Sequence, residues 1–325
     1  MTITDAKTQG RESSLSATLS AIIACPRCKQ SLADVGSLDC DVCALSFPIV
    51  GGVPILINEE ASIFALDDYI SQTPAVQDSW LKQAAKTALP SITLNIGSDE
   101  NYRRLVSSLK SEGMARPRVL VIGGANEGRG FGDDELWADI DLIETDVAFG
   151  PRTNAVCDAH DLPFTDGSFD AVVSQAVLEH VLDPYRCVAE IERVLKPNGF
   201  VYAETPFMQQ VHLGKLDFLR FSALGHRRLF NGFSETSAGP VCGAGTALAW
   251  AYCYFLMSLF TGRNMQRVAF AFGSLTGFFL KYFDLILRDK PGSFDAASAY
   301  YFLGRKTEVR VSDREIVDGY RGMLQ

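Results

Sequence analysis

The junction between Val119-Leu120-Val121-Ile122 and Gly123-Gly124 constrains the fold more than any other stretch of this chain. Four apolar, mostly β-branched residues are too few for a helix. The abrupt glycine stop predicts a buried parallel strand feeding a tight turn. Glycine lets backbone approach a ligand closely there, because it lacks Cβ and tolerates φ > 0. In an open α/β sheet the ligand sits beyond the carboxyl ends of the strands. A glycine turn alone is a weak signal, so its surroundings must decide.

They continue the same alternation. Ile140–Ile143 is a second, mostly apolar strand, ending in Glu144-Thr145-Asp146-Val147. An acidic residue about 20 positions past the turn is where a ribose diol is caught by a carboxylate. Val156-Cys157-Asp158 is a third short strand, whose terminal carboxylate can accept from an exocyclic amine. Gly167–Ser174 gives a turn and a fourth strand. Asp183-Pro184 opens a helix through Leu195, which Lys196-Pro197-Asn198-Gly199 ends before a fifth strand at Phe200–Glu204. Phe233–Cys242 and Ala299–Lys306 read as the sixth and seventh. The expected architecture is α/β, a doubly wound, Rossmann-like sheet of seven strands.

Composition narrows the function. A hydrophobic content of 47% with 21% charged residues fits a folded globular chain. The net charge of −9 argues against a sequence-independent nucleic-acid binder, which needs a basic face. Residues 1–20 are polar and Ser/Thr-rich, without an apolar core of signal-peptide length, and read as a disordered leader of a cytoplasmic protein.

Four of the eight cysteines crowd the first 43 residues. Cys25-Pro-Arg-Cys28 and Cys40-Asp-Val-Cys43 are two C-x-x-C knuckles, which together offer a closed tetrahedral four-thiolate site for structural zinc. The knuckles and the tail Phe47-Pro48-Ile49-Val50-Gly51-Gly52-Val53-Pro54-Ile55-Leu56 resemble the small zinc-ribbon proteins that bind and activate methyltransferases.

Downstream, the runs Asp158–Phe164 (D-A-x-x-L-P-F), Phe169–Ser174 (F-D-x-V-V-S), Leu178–Pro184 (L-E-H-V-x-D-P) and Leu195–Val201 (L-K-P-N-G-x-V) resemble the class I S-adenosylmethionine-dependent methyltransferases. The resemblance implies that Gly123, Gly124 and Gly128 carry the cofactor loop. It further implies that Asp146 holds the ribose hydroxyls, Asp158 the adenine amine, Ala159 the adenine ring and Gln175 the methionine end, with Glu144 as a competing ribose ligand. The opening motif departs from the family. Val121 stands where an acidic residue is usual, and Ala125 replaces a glycine. A nicotinamide dehydrogenase shares the strand, turn and acidic residue, but has no use for the L-P-F and L-E-H-V runs.

For the acceptor, His180 stands just after the fourth strand, where a neutral imidazole can act as base or can equally cap or pack the following turn. His212, Asp217, Arg220 and Phe221 follow the fifth strand in a pattern resembling P-F…H…D-x-x-R-F of a bacterial methyltransferase subgroup. Acceptor recognition and an Asp–Arg pair that merely orders the loop both explain it. His226-Arg227-Arg228 reads as helix surface. Residues 243–262 contain no charge, and 268–280 is a second uncharged run. A helical hairpin forming a buried or dimer-making cap is expected there, with peripheral membrane contact or a lipid-like acceptor through 243–287 as the alternative.

The chain thus divides into a leader (1–20), a zinc ribbon (21–58), a helical linker or lid (59–112), a methyltransferase domain (113–242 with 293–325) and a hydrophobic cap (243–292). The function expected is S-adenosylmethionine-dependent methyl transfer to a small-molecule, saccharide or lipid-linked acceptor, most often at oxygen. The competing class is a catalytically degenerate binding module that acts through its ribbon.

Overall fold

The computed structural model of this chain describes residues 16–32, 37–70, 89–125 and 135–323. A two-stranded ribbon of β1 (Leu38–Cys40) and β2 (Leu45–Phe47) opens the strand order, followed by a hairpin of β3 (Ile49–Val50) and β4 (Val53–Leu56). Then come β5 (Arg118–Ile122), β6 (Asp141–Asp146), β7 (Ala155–Cys157), β8 (Phe169–Gln175) and β9 (Leu195–Pro206), and finally β10 (Phe233–Cys242) and β11 (Ala299–Lys306). The last nine form one sheet in the order β10-β11-β9-β8-β5-β6-β7-β4-β3.

The seven strands read from the sequence are β5 to β11, and the sheet continues past them by two. β5 to β9 run parallel, and β11 is inserted antiparallel between β9 and β10. Without β4, β7 would be an edge with unpaired backbone groups. Ile55 and Leu56 close it, pairing in parallel with Val156 and Cys157. The cysteine-bearing segment is also tied in at a second place: Ala24 N–H donates to Pro163 C=O at 2.8 Å, and Thr165 N–H to Ile22 C=O at 2.9 Å.

The apolar runs in the strands are buried on both faces, as parallel strands covered by helices require. One face packs Leu120, Ile122, Val172 and Val201 with helix Pro184–Val194 and, in the same cluster, with Leu19, Ile23 and Phe47 of the N-terminal segment. The other packs Val119, Val121, Val173 and Tyr202 against Tyr102, Leu105 and Leu109 of helix Ser98–Ser111. The hairpin consists of helices Ala244–Ser258 and Arg263–Gly277 and follows β10 in the chain. One surface reading is overturned. His226 of helix Ala223–Leu229 is only 2% exposed, set among Phe221 and Phe230, and desolvation pushes its pKa down to about 3. Its two arginine neighbours reach back to the start of β10 and its preceding turn or to Asp313, which leaves the imidazole as the inward position.

Candidate cofactor and acceptor site

The glycine turn closes β5. Gly123 has φ +82°, and a Cβ there would overlap the Val177 side chain, so neither conformation nor space admits another residue. Gly123 and Gly124 N–H both donate to Thr145 C=O, at 2.8 and 3.0 Å, which holds the turn against β6. Gly128 lies outside the described residues. Two cavities open from this turn and share Ile122, Gly123, Asp146, Val147, Val177, His180 and Leu213.

The smaller, about 260 Å3, is lined by Asp146, Asp158, Ala159, His160 and Leu182. Asp158 accepts from Ser62 Oγ at 2.6 Å and from His160 Nδ1 at 2.6 Å. Burial pushes this carboxyl up, but those bonds outweigh it and hold the pKa below the ordinary value. His160 Nε2 accepts from Asp183 N–H at 3.0 Å, which fixes Nδ1 as the protonated nitrogen. Ala61, Ile63 and Phe64 cover this cavity from the segment that follows β4. Tyr69 pins that segment, its hydroxyl donating to Val147 C=O at 2.8 Å.

Of the two candidate ribose carboxylates, Asp146 lines both cavities and Glu144 only the larger. Burial raises the pKa of Asp146, against hydrogen bonds from Ala125 and Ala148 N–H at 3.0 and 2.9 Å. Glu144 is paired with Arg152 at 3.0 Å and wedged under Gly124. The geometry therefore presents Asp146 at the junction and commits Glu144 to the turn.

The larger cavity, about 590 Å3, runs from the glycine turn past Gln175 and Glu204 to Glu179, His180 and His212. Gln175 accepts from Tyr102 OH at 3.2 Å and donates to Glu204 at 3.0 Å. Glu204 also accepts from the hydroxyls of Ser98 and Tyr202. Desolvation raises its pKa, with these donors opposing. Tyr102 and Ser98 come from the helix before β5, so that helix builds the floor of the site. Sequence reasoning passed over Glu204, Tyr102 and Ser98; a carboxylate directly after the apolar run Phe200–Ala203 of β9 was the available signal.

Ala176 turns the chain after β8 with φ 54°, a left-handed conformation uncommon outside glycine. The turn carries Glu179 and His180 into the cavity. His180 Nδ1–H donates to Leu216 C=O at 2.8 Å, and burial lowers its pKa, so it is neutral at pH 7. The His212 ring lies against His180, centroids 4.9 Å apart. Asp217 is outside both cavities. Its carboxylate takes a bidentate pair from Arg220 and the His212 N–H at 2.8 Å, which holds its pKa well below the carboxylate range despite desolvation. Arg220 further donates to Gln209 and Gln210 C=O. The Asp–Arg pair thus shapes the loop that delivers His212.

Apart from this site, the sulfurs of Cys25, Cys28, Cys40 and Cys43 lie within 4.8 Å of one another. Tetrahedral thiolates on a zinc ion sit roughly 3.8 Å apart at bond lengths of about 2.3 Å, so the donor set fits a closed structural zinc site. The S-adenosylmethionine fit is equally local: a glycine cradle too tight for a Cβ, an acidic strand end, and two adjoining cavities.

Residues 139–203 match the methyltransferase domain family, and residues 16–52 match the Trm112p-like protein family. A demethylmenaquinone methyltransferase of Renibacterium salmoninarum is 32% identical over 128 residues, 36% of this chain and 52% of that protein. A ubiquinone/menaquinone biosynthesis C-methyltransferase of Desulfotalea psychrophila is 50% identical over 44 residues, 14% of this chain and 18% of that one. The chain thus spans about half the length of the first relative and less of the second. Among solved structures, a complex of the Haloferax volcanii Trm112 methyltransferase activator with a methyltransferase superposes with a TM-score of 0.35 at 17% identity, covering 72% of this chain and all of that one.

Proposed function

We propose that this chain, which carries a methyltransferase domain and a Trm112-like segment, transfers a methyl group from S-adenosylmethionine to a small-molecule or lipid-linked acceptor, most often at oxygen. One observation carries this reading: the cavity that begins at Gly123 and Asp146 ends at two histidines and a carboxylate with room for a second molecule. S-adenosylmethionine supplies a methyl carbon already activated by a sulfonium.

The protein's own work is therefore binding, orientation and management of one proton. Asp146 would accept from the ribose hydroxyls and Asp158 would face the adenine, screened from water by Ile63 and Phe64. Gln175 and Glu204 would meet the methionine end. Neutral His180 can take a proton at Nε2, since its Nδ1 is committed to Leu216 C=O. Asp217 positions His212 and touches no reacting atom.

An acceptor with apolar bulk suits the remaining surface. A groove of about 870 Å3 runs between the loop at Phe207–Arg220 and helix Ala244–Ser258, lined by Met208, Val211, Phe218 and Leu248. Elsewhere on the hairpin and the short helix after it (Asp284–Leu287), Phe255, Phe272 and Ile286 are 62%, 56% and 72% exposed. The helical run Arg263–Leu287 is long and apolar enough to cross a membrane by length and composition. We place this face at a lipid surface that delivers the acceptor.

Calorimetry with S-adenosylmethionine tests the donor half. Binding should be saturable and weaken at least tenfold in Asp146→Ala, a loss of about 1.4 kcal/mol or more. Absence of binding to the native chain, with and without a lipid extract, would leave the degenerate-module reading in its place. Mass spectrometry of lysate fractions incubated with the labelled donor would then name the acceptor.

A further inference from the structure

Glu179 is 0% exposed, and among the described residues no hydrogen-bond donor from another residue reaches either carboxylate oxygen. A buried carboxylate left this way is costly, because the protein has replaced its hydration with nothing. Two imidazole nitrogens approach it. His180 Nε2 stands 3.6 Å and His212 Nε2 3.8 Å from Glu179 Oε1.

The protons on those rings are placed elsewhere. His180 Nδ1 faces Leu216 C=O at 2.8 Å. His212 Nδ1 faces Gln210 C=O and Asp217 Oδ2, each at 3.4 Å. All of these partners are acceptors, so each Nδ1 carries the hydrogen and each Nε2 presents its lone pair to Glu179. Three lone-pair donors then converge, with ligand atoms within 4.8 Å of one another. This is the second-sphere arrangement of metal-bound histidine, whose outer nitrogen is held by a carbonyl or carboxylate. Two imidazoles and one carboxylate are the donor set of divalent first-row metals that keep open positions for a further ligand.

We propose that Glu179, His180 and His212 form a binding site for a divalent first-row transition-metal ion at the acceptor end of the cavity. The three ligands come from the turn after β8 and from the loop after β9, so the ion would join the two elements that frame the acceptor. Its open positions face the cavity, and a hydroxyl or phenolate oxygen of the acceptor is the chemistry that fills them. With the ion bound, His180 Nε2 would be a ligand rather than a base, and the ion would acidify that oxygen in its place; this assignment rests on the methyl-transfer reading, and the metal site itself does not.

Cobalt(II) is a suitable probe, used without any methyl donor so that failure here and failure of the methyl-transfer reading stay distinct. Full-length protein with its cysteine site pre-filled by one equivalent of zinc is titrated with cobalt(II), and visible absorption and bound metal are measured. The expected result is a second equivalent with d–d absorption and no thiolate charge-transfer band. It should weaken at least tenfold in His212→Ala and in Glu179→Gln while the melting temperature of His212→Ala stays at the native value. His212 is partly exposed, so its removal leaves the core intact. Uptake that stops at the zinc-filled equivalent, or a second equivalent that survives in either variant, overturns the proposal. In the first case Glu179 is simply a protonated carboxylic acid.

Discussion

Beyond β7 the sheet runs on into the cysteine-bearing segment, whereas after β10 the chain leaves the sheet for the helical hairpin. The two additions treat their apolar surface in opposite ways. Ile23, Leu32, Phe47 and Leu56 of the first are buried in the same cluster as Leu120 and Val172 of the central sheet. The hairpin shares only a small cluster, Ile92 with Ala249 and Cys253, and turns Leu248, Phe255, Phe272 and Leu275 outward. One edge is finished by the chain itself. The other has the composition of a core without a partner inside the described residues.

The largest effect should follow from opening the finished edge. Cys40 is buried at the end of β1, 3.4 Å from Cys28, and a segment this small has little core of its own without an ion. Cys40→Ser, or chelation of zinc, is expected to melt 16–32 and 37–57 and, through β4 and the Ala24–Pro163 bond, to destabilise the whole sheet by several kcal/mol. Metal content should fall by about one per chain. A variant that keeps both its metal and its melting temperature would show that the four thiols act separately.

A smaller loss is expected where the hairpin is rooted. Asp284 is fully buried and accepts from the N–H groups of Gly243, Gly245 and Thr246 and from the Thr246 hydroxyl, at 2.6 to 3.1 Å. It caps helix Ala244–Ser258 from a distance of about forty residues in sequence, using the positive end of the helix. Asp284→Ala should cost about 3 kcal/mol of hairpin stability. Hydrogen exchange should show that loss in 244–287 while β5 and β8 stay protected. Uniform loss across the sheet would mean that the two edges are equally integrated.

The comparison also explains what the sequence could and could not disclose. Strands β5 and β8 were legible because a short apolar run bounded by a glycine is a local signal. The ribbon's cysteine spacing was legible for the same reason. That β4 would extend the sheet was not, since edge pairing joins residues a hundred apart and leaves no periodicity. Ser62 and Phe64 over Asp158, and the turn of His226 into the core, are likewise decided by contacts across the fold. At the site, Gly123, Asp146 and Asp158 were readable from strand ends. Glu179 was visible within L-E-H-V but not as an unpaired buried carboxylate, because His212 reaches it only through the Arg220–Asp217 loop.

The bare face supplies a third prediction. Phe255→Glu with Ile286→Glu changes only exposed positions, so the melting temperature should stay within about a degree for perturbations under about 0.5 kcal/mol. Flotation with phospholipid vesicles should fall from most of the protein to near background. Native protein that remains at the bottom of the gradient would exclude a lipid surface and leave self-association, read from sedimentation, as the cover.

The smallest effect separates the two edges by ion pairs alone. Lys29, held at φ 62° by the first cysteine knuckle, donates to Glu190 at 2.8 Å across the join between ribbon and helix Pro184–Val194. Both side chains are mostly covered, at 24% and 13% exposed. Burial raises the Glu190 pKa, but Arg193 and Lys29 outweigh it and leave the carboxyl below its ordinary value. A depressed folded pKa contributes stability above the unfolded value, near about 4.3, and loses it as pH falls through the folded value. Lys29→Met should therefore cost about 1 kcal/mol near pH 7, and the gap should close as the solution is acidified through that range. At the hairpin, Arg288 pairs with Glu100 at 3.5 Å with both side chains near half exposed, and Arg288→Met should leave the unfolding midpoint unchanged. If the two substitutions shift urea midpoints equally, the Lys29 pair docks the ribbon no more firmly than the hairpin is docked, and its place in the sheet rests on β4, the backbone bonds at Ala24 and Thr165 and the shared core.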